Sequence, residues 1–279
     1  MRWRYWLMAT FTLAMTNSAY PGDFDVLPSR GTIAFSGRIE AGDTERLVAI
    51  LRKNRFHSLH VDSLGGSVDE AIRMAQVVKA LYLGVRVTPG KPCASACFLL
   101  FLAGSGRGAS PAEMMTAKAR AQLNELNAKT IAAGLPPTQI DGFVGLHRPY
   151  SGNISNLENN QIEIMKKLTR YLEALMLPRR LIDSMMTRPS NDIYWLTYED
   201  LQQLGDYPPE QEELFIKKCG YDRNYFNKLS KGPGAAKRNG ALIAANDKAG
   251  ECIVGITSDG REKAWRKLKE GWLPGKQEL

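Results

Sequence analysis

Two adjacent glycines, a serine set among small residues and a histidine follow one another along the chain, in Leu59-His60-Val61-Asp62-Ser63-Leu64-Gly65-Gly66, Ala94-Ser95-Ala96 and His147-Arg148-Pro149. These residue types in this order suit acyl transfer. Gly65 and Gly66 come after the apolar run Leu59 to Val61 and before a helical pattern from Ser67, where a strand ends and its backbone must turn freely. Backbone N–H groups at such a turn can point at a developing oxyanion. Ser95 precedes a strongly apolar segment that runs to Gly104, which suits a hydroxyl presented at the mouth of a buried helix. An unactivated serine is a poor nucleophile and needs a base beside it. Of the 3 histidines, His147, ending the stretch Phe143-Val144-Gly145-Leu146, is the best placed to be that base.

The surrounding pattern supplies elements to hold these groups. A strand is expected near Thr32 to Phe35, then a helix from Thr44 to Lys53 with Thr44 as its capping hydroxyl. His57 to Val61 reads as a strand, Asp69 to Tyr82 as an amphipathic helix with Ala71, Met74, Ala75, Val78 and Leu81 inward, and Val85 to Thr88 as the next strand. Strand–helix alternation of this kind predicts an α/β fold with a parallel sheet and covering helices. Ligands in such folds gather at the carboxyl ends of the strands, where Gly65, Gly66 and His147 are placed.

This ordered set resembles the proteolytic subunit of Clp protease within the Clp/crotonase superfamily, over roughly residues 31–207. The resemblance is carried by Asp62-Ser63-Leu64-Gly65-Gly66, by Ala94-Ser95-Ala96, by His147-Arg148-Pro149, and by Asn191-Asp192-Ile193-Tyr194-Trp195-Leu196-Thr197 with the acidic segment Tyr198 to Gly205. It implies a spiral of strand–strand–helix units, with Ser95 as nucleophile, His147 as base, Asp192 as the residue that orients the imidazole, and the N–H groups of Gly66 and Ala96 as the oxyanion hole. It also implies peptide or unfolded-protein substrates and a homo-oligomer built partly through the helix Leu157 to Met176. Two departures stand out. Asp192 lies one residue further from the aromatic-Leu-Thr segment than the family's acid does, and a segment from Ser110 to Gln139 lengthens the stretch between serine and histidine.

At 279 residues, with 44% hydrophobic and 24% charged residues, the chain can bury a full core. Residues 1–19 have the layout of a secretory signal, with Arg2 and Arg4 before an apolar run from Tyr5 to Met15 and the small, polar Thr16 to Ala19. The expectation is export to a periplasm; an uncleaved membrane anchor is the alternative. The formal net charge of +8 is spread along the chain, which favours anionic partners such as membrane headgroups in a general way, while no motif supports nucleic-acid binding. The 4 cysteines allow three connectivities. Cys219 with Cys252 is favoured, as a staple for a thin carboxyl-terminal core, and Cys93 with Cys97 would brace the turn carrying Ser95. Two other readings of Cys93 and Cys97 stay open: free, buried thiols, or one of them as a nucleophile with His147.

Domain 31–208 is thus expected to carry the chemistry, with a helix from about Pro111 to Ala133 inside the 110–139 insertion as a lid, an assembly surface or an inert excursion. Residues 209–279 read as a small mixed appendage with a strand-like Ala241 to Ala245. His57 and His60 fall on opposite faces of one strand, so no metal site is expected, and nothing asks for a cofactor. Three functions compete: an exported serine peptidase, a crotonase-type enzyme acting on an acyl thioester, and a catalytically silent scaffold that binds or assembles through the cleft. An ATP-driven partner is not expected outside the cytoplasm.

Overall fold

The computed structural model describes residues 22–132, 141–149, 157–189, 191–230 and 235–273. The segment read as a signal, residues 1–19, lies outside them. The first strand, β1 (Asp23–Leu27), pairs antiparallel with β2 (Thr32–Ser36), so the folded part begins upstream of the boundary expected at residue 31. Helix α1 (Asp43–Lys53) buries Leu47, Val48 and Leu51 and carries Asp43 and Glu45 in its first turn and Arg52 and Lys53 in its last, matching the helix dipole. The capping role expected of Thr44 is not realised. Its hydroxyl is buried with no partner among the described residues, while its N–H donates to Glu70 Oε1 at 2.6 Å and the Asp43 carboxylate accepts from Glu40 N–H at 2.9 Å. The helix starts one residue earlier than the threonine pattern suggested, after a left-handed Gly42, and the Glu70 carboxylate takes one N–H of its first turn.

Strand β3 (Ser58–Asp62), helix α2 (Val68–Ala80) and strand β4 (Gly84–Val87) continue the alternation. Ser67 caps α2, accepting from Glu70 N–H at 3.3 Å, and Ala71, Met74, Ala75 and Val78 are buried as their spacing requires. Next come β5 (Pro92–Ala94), α3 (Cys97–Ala103) and β6 (Arg107–Gly108). All of α3 is buried, which its uninterrupted apolar sequence demands. The main sheet has the order β1-β2-β3-β4-β6 and is parallel from β2 onward.

The insertion forms helix α4 (Ala117–Ala132), with residues 133–140 outside the described set. A second sheet follows from β7 (Phe143–Leu146), which pairs parallel with β5 and, beyond α5 (Leu157–Ala174) and α6 (Arg179–Thr187), antiparallel with β8 (Tyr194–Trp195). The two sheets meet where Ser63 N–H donates to Pro92 O and Ala94 N–H to Ser63 O, each at 2.9 Å.

Helix α7 (Tyr198–Leu204) opens with a capping box between Thr197 and Asp200. The remainder is helical: α8 (Pro209–Cys219), α9 (Tyr225–Lys228) and the 35-residue α10 (Ala235–Lys269). The strand expected over Ala241–Ala245 is therefore helix, and the described residues of the appendage form helices rather than a mixed fold. A short apolar run does not distinguish the two states, and its alanines favour helix. The far end of α10 docks on the core by reciprocal capping. Trp265 Nε1 donates to Leu51 O at 2.8 Å, Arg261 to Leu81 O at 3.1 Å and Tyr82 O at 2.9 Å, and Arg52 Nε returns a bond to Leu268 O at 2.9 Å. These bonds satisfy carbonyls at the ends of three helices. A disulfide between Cys219 and Cys252 ties α8 to α10, the pairing favoured from sequence.

Candidate active site

Ser95 occupies the junction between β5 and α3 with a φ of 56°, a left-handed conformation that costs a non-glycine residue about 1–3 kcal/mol. The surroundings hold it there. Its N–H donates to Gly145 O at 3.1 Å and its carbonyl accepts from Phe98 N–H at 3.0 Å. Cys93 and Cys97 are joined in a disulfide across the elbow, with 5.2 Å between their Cα atoms. Both sulfurs are committed to that bond and fully buried, so neither cysteine is the nucleophile.

The glycine turn lies directly against this elbow. Gly65 has a φ of 99° and Gly66 of 149°, both in the region that favours glycine. A methyl group at Gly65 would stand 2.7 Å from Ser95 Cβ and 2.8 Å from Ala96 N; one at Gly66 would stand 2.1 Å from Ile39 O. Ser63 shapes the turn from beneath, its hydroxyl accepting Gly65 N–H at 3.0 Å. Ile39 secures the outer edge, its N–H donating to Gly65 O and its carbonyl accepting Ser67 N–H, each at 2.9 Å. That parallel bridge uses the groups on either side of Gly66 and leaves its N–H out. The N–H groups of Gly66 and Ala96 thus have no acceptor among the described residues, although almost every backbone donor in a folded core is paired.

His147 follows β7, is 6% exposed, and shares with Ser95, Gly65 and Gly66 a cleft of about 890 Å³. Apolar Ile39, Val68, Ile164 and Ile193 also line it, as does Leu64, which is 64% exposed. Ser95 N–H on Gly145 O sets the serine beside β7, two residues before the histidine. Gly145 cannot carry a side chain there, since a Cβ would lie 2.4 Å from Ile193 Cγ2. His147 Nδ1 lies 2.9 Å from the main-chain oxygen of Arg148. A carbonyl only accepts, so Nδ1 carries the proton and Nε2 the lone pair, the tautomer a general base needs. Ser95 Oγ and His147 are not joined by any described hydrogen bond; such contacts often tighten only with substrate in place.

Asp192 is placed differently from the role the resemblance implies for it. Its carboxylate pairs with Arg188 at 2.8 Å and is about half exposed, and the described hydrogen bonds do not join it to His147. At the cleft rim Asp62 pairs with Lys91 at 3.4 Å and Asp69 with Lys167 at 2.6 Å. The described cleft-lining residues include none from the insertion. Its base instead joins the β8–α7 corner, where Ala112 N–H donates to Leu196 O at 2.8 Å and Tyr198 N–H donates to Glu113 Oε2 at 3.2 Å.

No family model matches the sequence, and no curated protein matches it either. Among solved structures the chain is similar to ClpP1 from Listeria monocytogenes, at 16% identity and a TM-score of 0.40 over 63% of this chain and 88% of that one. A point mutant of the same protein gives the same values. It is also similar to a point mutant of the 1510-N membrane-bound stomatin-specific protease, at 16% identity and a TM-score of 0.38 over 68% of this chain and 83% of that one.

Proposed function

We propose that this chain is an exported serine-type peptidase. Ser95 Oγ attacks the scissile carbonyl, His147 Nε2 takes its proton and returns it to the leaving amine, and the N–H groups of Gly66 and Ala96 bind the oxyanion of the tetrahedral intermediate. Water then repeats the cycle on the acyl-enzyme. The observation that carries the reading is the left-handed Ser95 at a strand-to-helix elbow, flanked by two main-chain donors without acceptors among the described residues. A strained serine and unspent donors side by side are costs that a purely structural turn has no reason to bear. The apolar part of the cleft lining, Ile39, Val68, Ile164 and Ile193, suits an extended peptide with at least one hydrophobic side chain. Two disulfides support an oxidising compartment, with residues 1–19 as the export signal or anchor. The α5 helix, with Ile162 about half exposed, is proposed as a self-association surface.

The second reading is a catalytically silent cleft that binds peptides, favoured by the engagement of Asp192 with Arg188. Reaction with a fluorophosphonate probe separates the two. Under the peptidase reading the adduct maps to Ser95 by mass spectrometry and is lost in Ser95→Ala and His147→Ala. Well-folded protein that does not react leaves the binding reading.

A further inference from the structure

We infer that the base His147 is oriented by a main-chain carbonyl, that of Arg148, and that Asp192 influences it only at one remove, as a positioning residue acting through Arg188. The inference rests on His147 being the general base of the proposed site.

The bond from Nδ1 to Arg148 O is 2.9 Å long, within the ordinary range for N–H···O. A carbonyl helps only if it is held still, and three features hold this one. Pro149 follows it, and a proline ring confines the preceding residue to extended backbone, which limits where the Arg148 carbonyl can point. The N–H of Arg148 donates to Arg188 O at 3.0 Å, pinning the segment to the end of α6. Arg188 is in turn fixed through its side chain, which pairs with Asp192 Oδ2 at 2.8 Å and lies over the Tyr194 ring at 5.0 Å. The chain of contacts therefore runs from Asp192 to Arg188, to the Arg148 backbone, and only then to the imidazole.

The chemistry differs from that of a carboxylate partner. A neutral carbonyl selects the Nδ1–H tautomer and aims Nε2, but places no opposite charge beside the imidazolium formed when Ser95 attacks. Asp192, about half exposed and paired with one arginine, contributes through a surface ion pair of modest strength. Removing its charge should loosen the support of the base without changing which nitrogen holds the proton.

Nitrogen-15 NMR of the histidine rings in the full chain tests this, with His57→Gln and His60→Gln assigning the three signals. The expected result is a neutral Nδ1–H tautomer for His147 that is unchanged in Asp192→Asn. An Nε2–H tautomer in the unaltered protein, or a tautomer that changes in Asp192→Asn, would overturn the inference. Probe-labelling kinetics give a second readout: Asp192→Asn should slow the reaction of Ser95 less than about tenfold, whereas a carboxylate in direct contact would cost about 10⁴-fold. A loss of the latter size in folded protein sinks the inference. If Ser95 never reacts, the peptidase reading falls by itself, and the tautomer still decides what orients His147.

Discussion

The backbone of Ser95 is strained, and its neighbours are built to leave it no alternative. Gly65 approaches so closely that Gly65→Ala, with its methyl 2.7 Å from Ser95 Cβ, should displace the elbow. Misplacement by about 1 Å costs about 10²-fold in rate, so probe labelling should fall by at least that factor while circular dichroism still reports a folded chain. Ser63→Ala is gentler. It removes a hydroxyl that accepts from Gly65 N–H at 3.0 Å and reaches Gly65 O at 3.5 Å, and the labelling rate should drop by about tenfold or less, between wild type and the glycine variant. Breaking the Cys93–Cys97 bond with Cys93→Ser and Cys97→Ser should depress labelling far more than thermal stability, because the cross-link closes a loop of very few residues and constrains the unfolded chain little. Equal loss of both would argue against a positioning role. At this scale the sequence disclosed the residue types well: two glycines after a strand, a serine between alanines, a histidine before X-Pro. It concealed the duties of Gly145, which depend on Ile193 lying 2.4 Å from an added Cβ, and of Arg188, which depend on a backbone bond to Arg148 at 3.0 Å. Neither proximity leaves a mark on local pattern.

The β8–α7 corner supports β7 from the side opposite the serine, and one carboxylate organises it. Asp200 is wholly buried and accepts from Thr197 N–H at 2.8 Å, Tyr194 OH at 2.8 Å, the Thr197 hydroxyl at 3.0 Å and the Arg180 guanidinium. Burial alone would push its carboxyl upward, but these hydrogen bonds outweigh that effect and hold it below the usual carboxylate range. A carboxyl depressed in the folded state adds stability that is fully present above its unfolded value of about 3.9 and is lost as pH falls through the folded value. Asp200→Asn should therefore destabilise the chain by about 2–3 kcal/mol at neutral pH and flatten the stability profile below about pH 4, as read by urea unfolding at several pH values. An unchanged acid limb would assign that limb to other carboxylates. Elements with long periodic patterns, such as α2, were legible because burial must follow the 3.6-residue spacing. The failures have physical causes: α1 begins at Asp43 after a left-handed Gly42, with the Thr44 N–H taken by the distant Glu70, and Ala241–Ala245 is helix because it continues a much longer helical run.

Across the whole molecule, α10 works as a strap. The Cys219–Cys252 disulfide spans 33 residues, and removing it with Cys219→Ser and Cys252→Ser should cost about 3–4 kcal/mol, lowering Tm by roughly 10 °C in a calorimetric scan. A shift of only a degree or two would mean that the capping bonds suffice on their own. The α/β architecture was legible because strand–helix alternation leaves few ways to bury both faces of a sheet. The strap was not, since its docking rests on side chains such as Trp265 that meet carbonyls far back in the chain. Trp265 reaches Leu51 across 214 residues, Arg52 reaches Leu268 across 216, and Arg261 reaches Leu81 across 180. Order of synthesis and order of completion consequently run in opposite directions. The helices made first, α1 and α2, gain these partners for their terminal carbonyls only once Arg261 and Trp265 have been made. A polypeptide cut between Leu204 and Arg261 carries every residue of the candidate active site yet lacks the side chains that take up the carbonyls at the ends of α1 and α2.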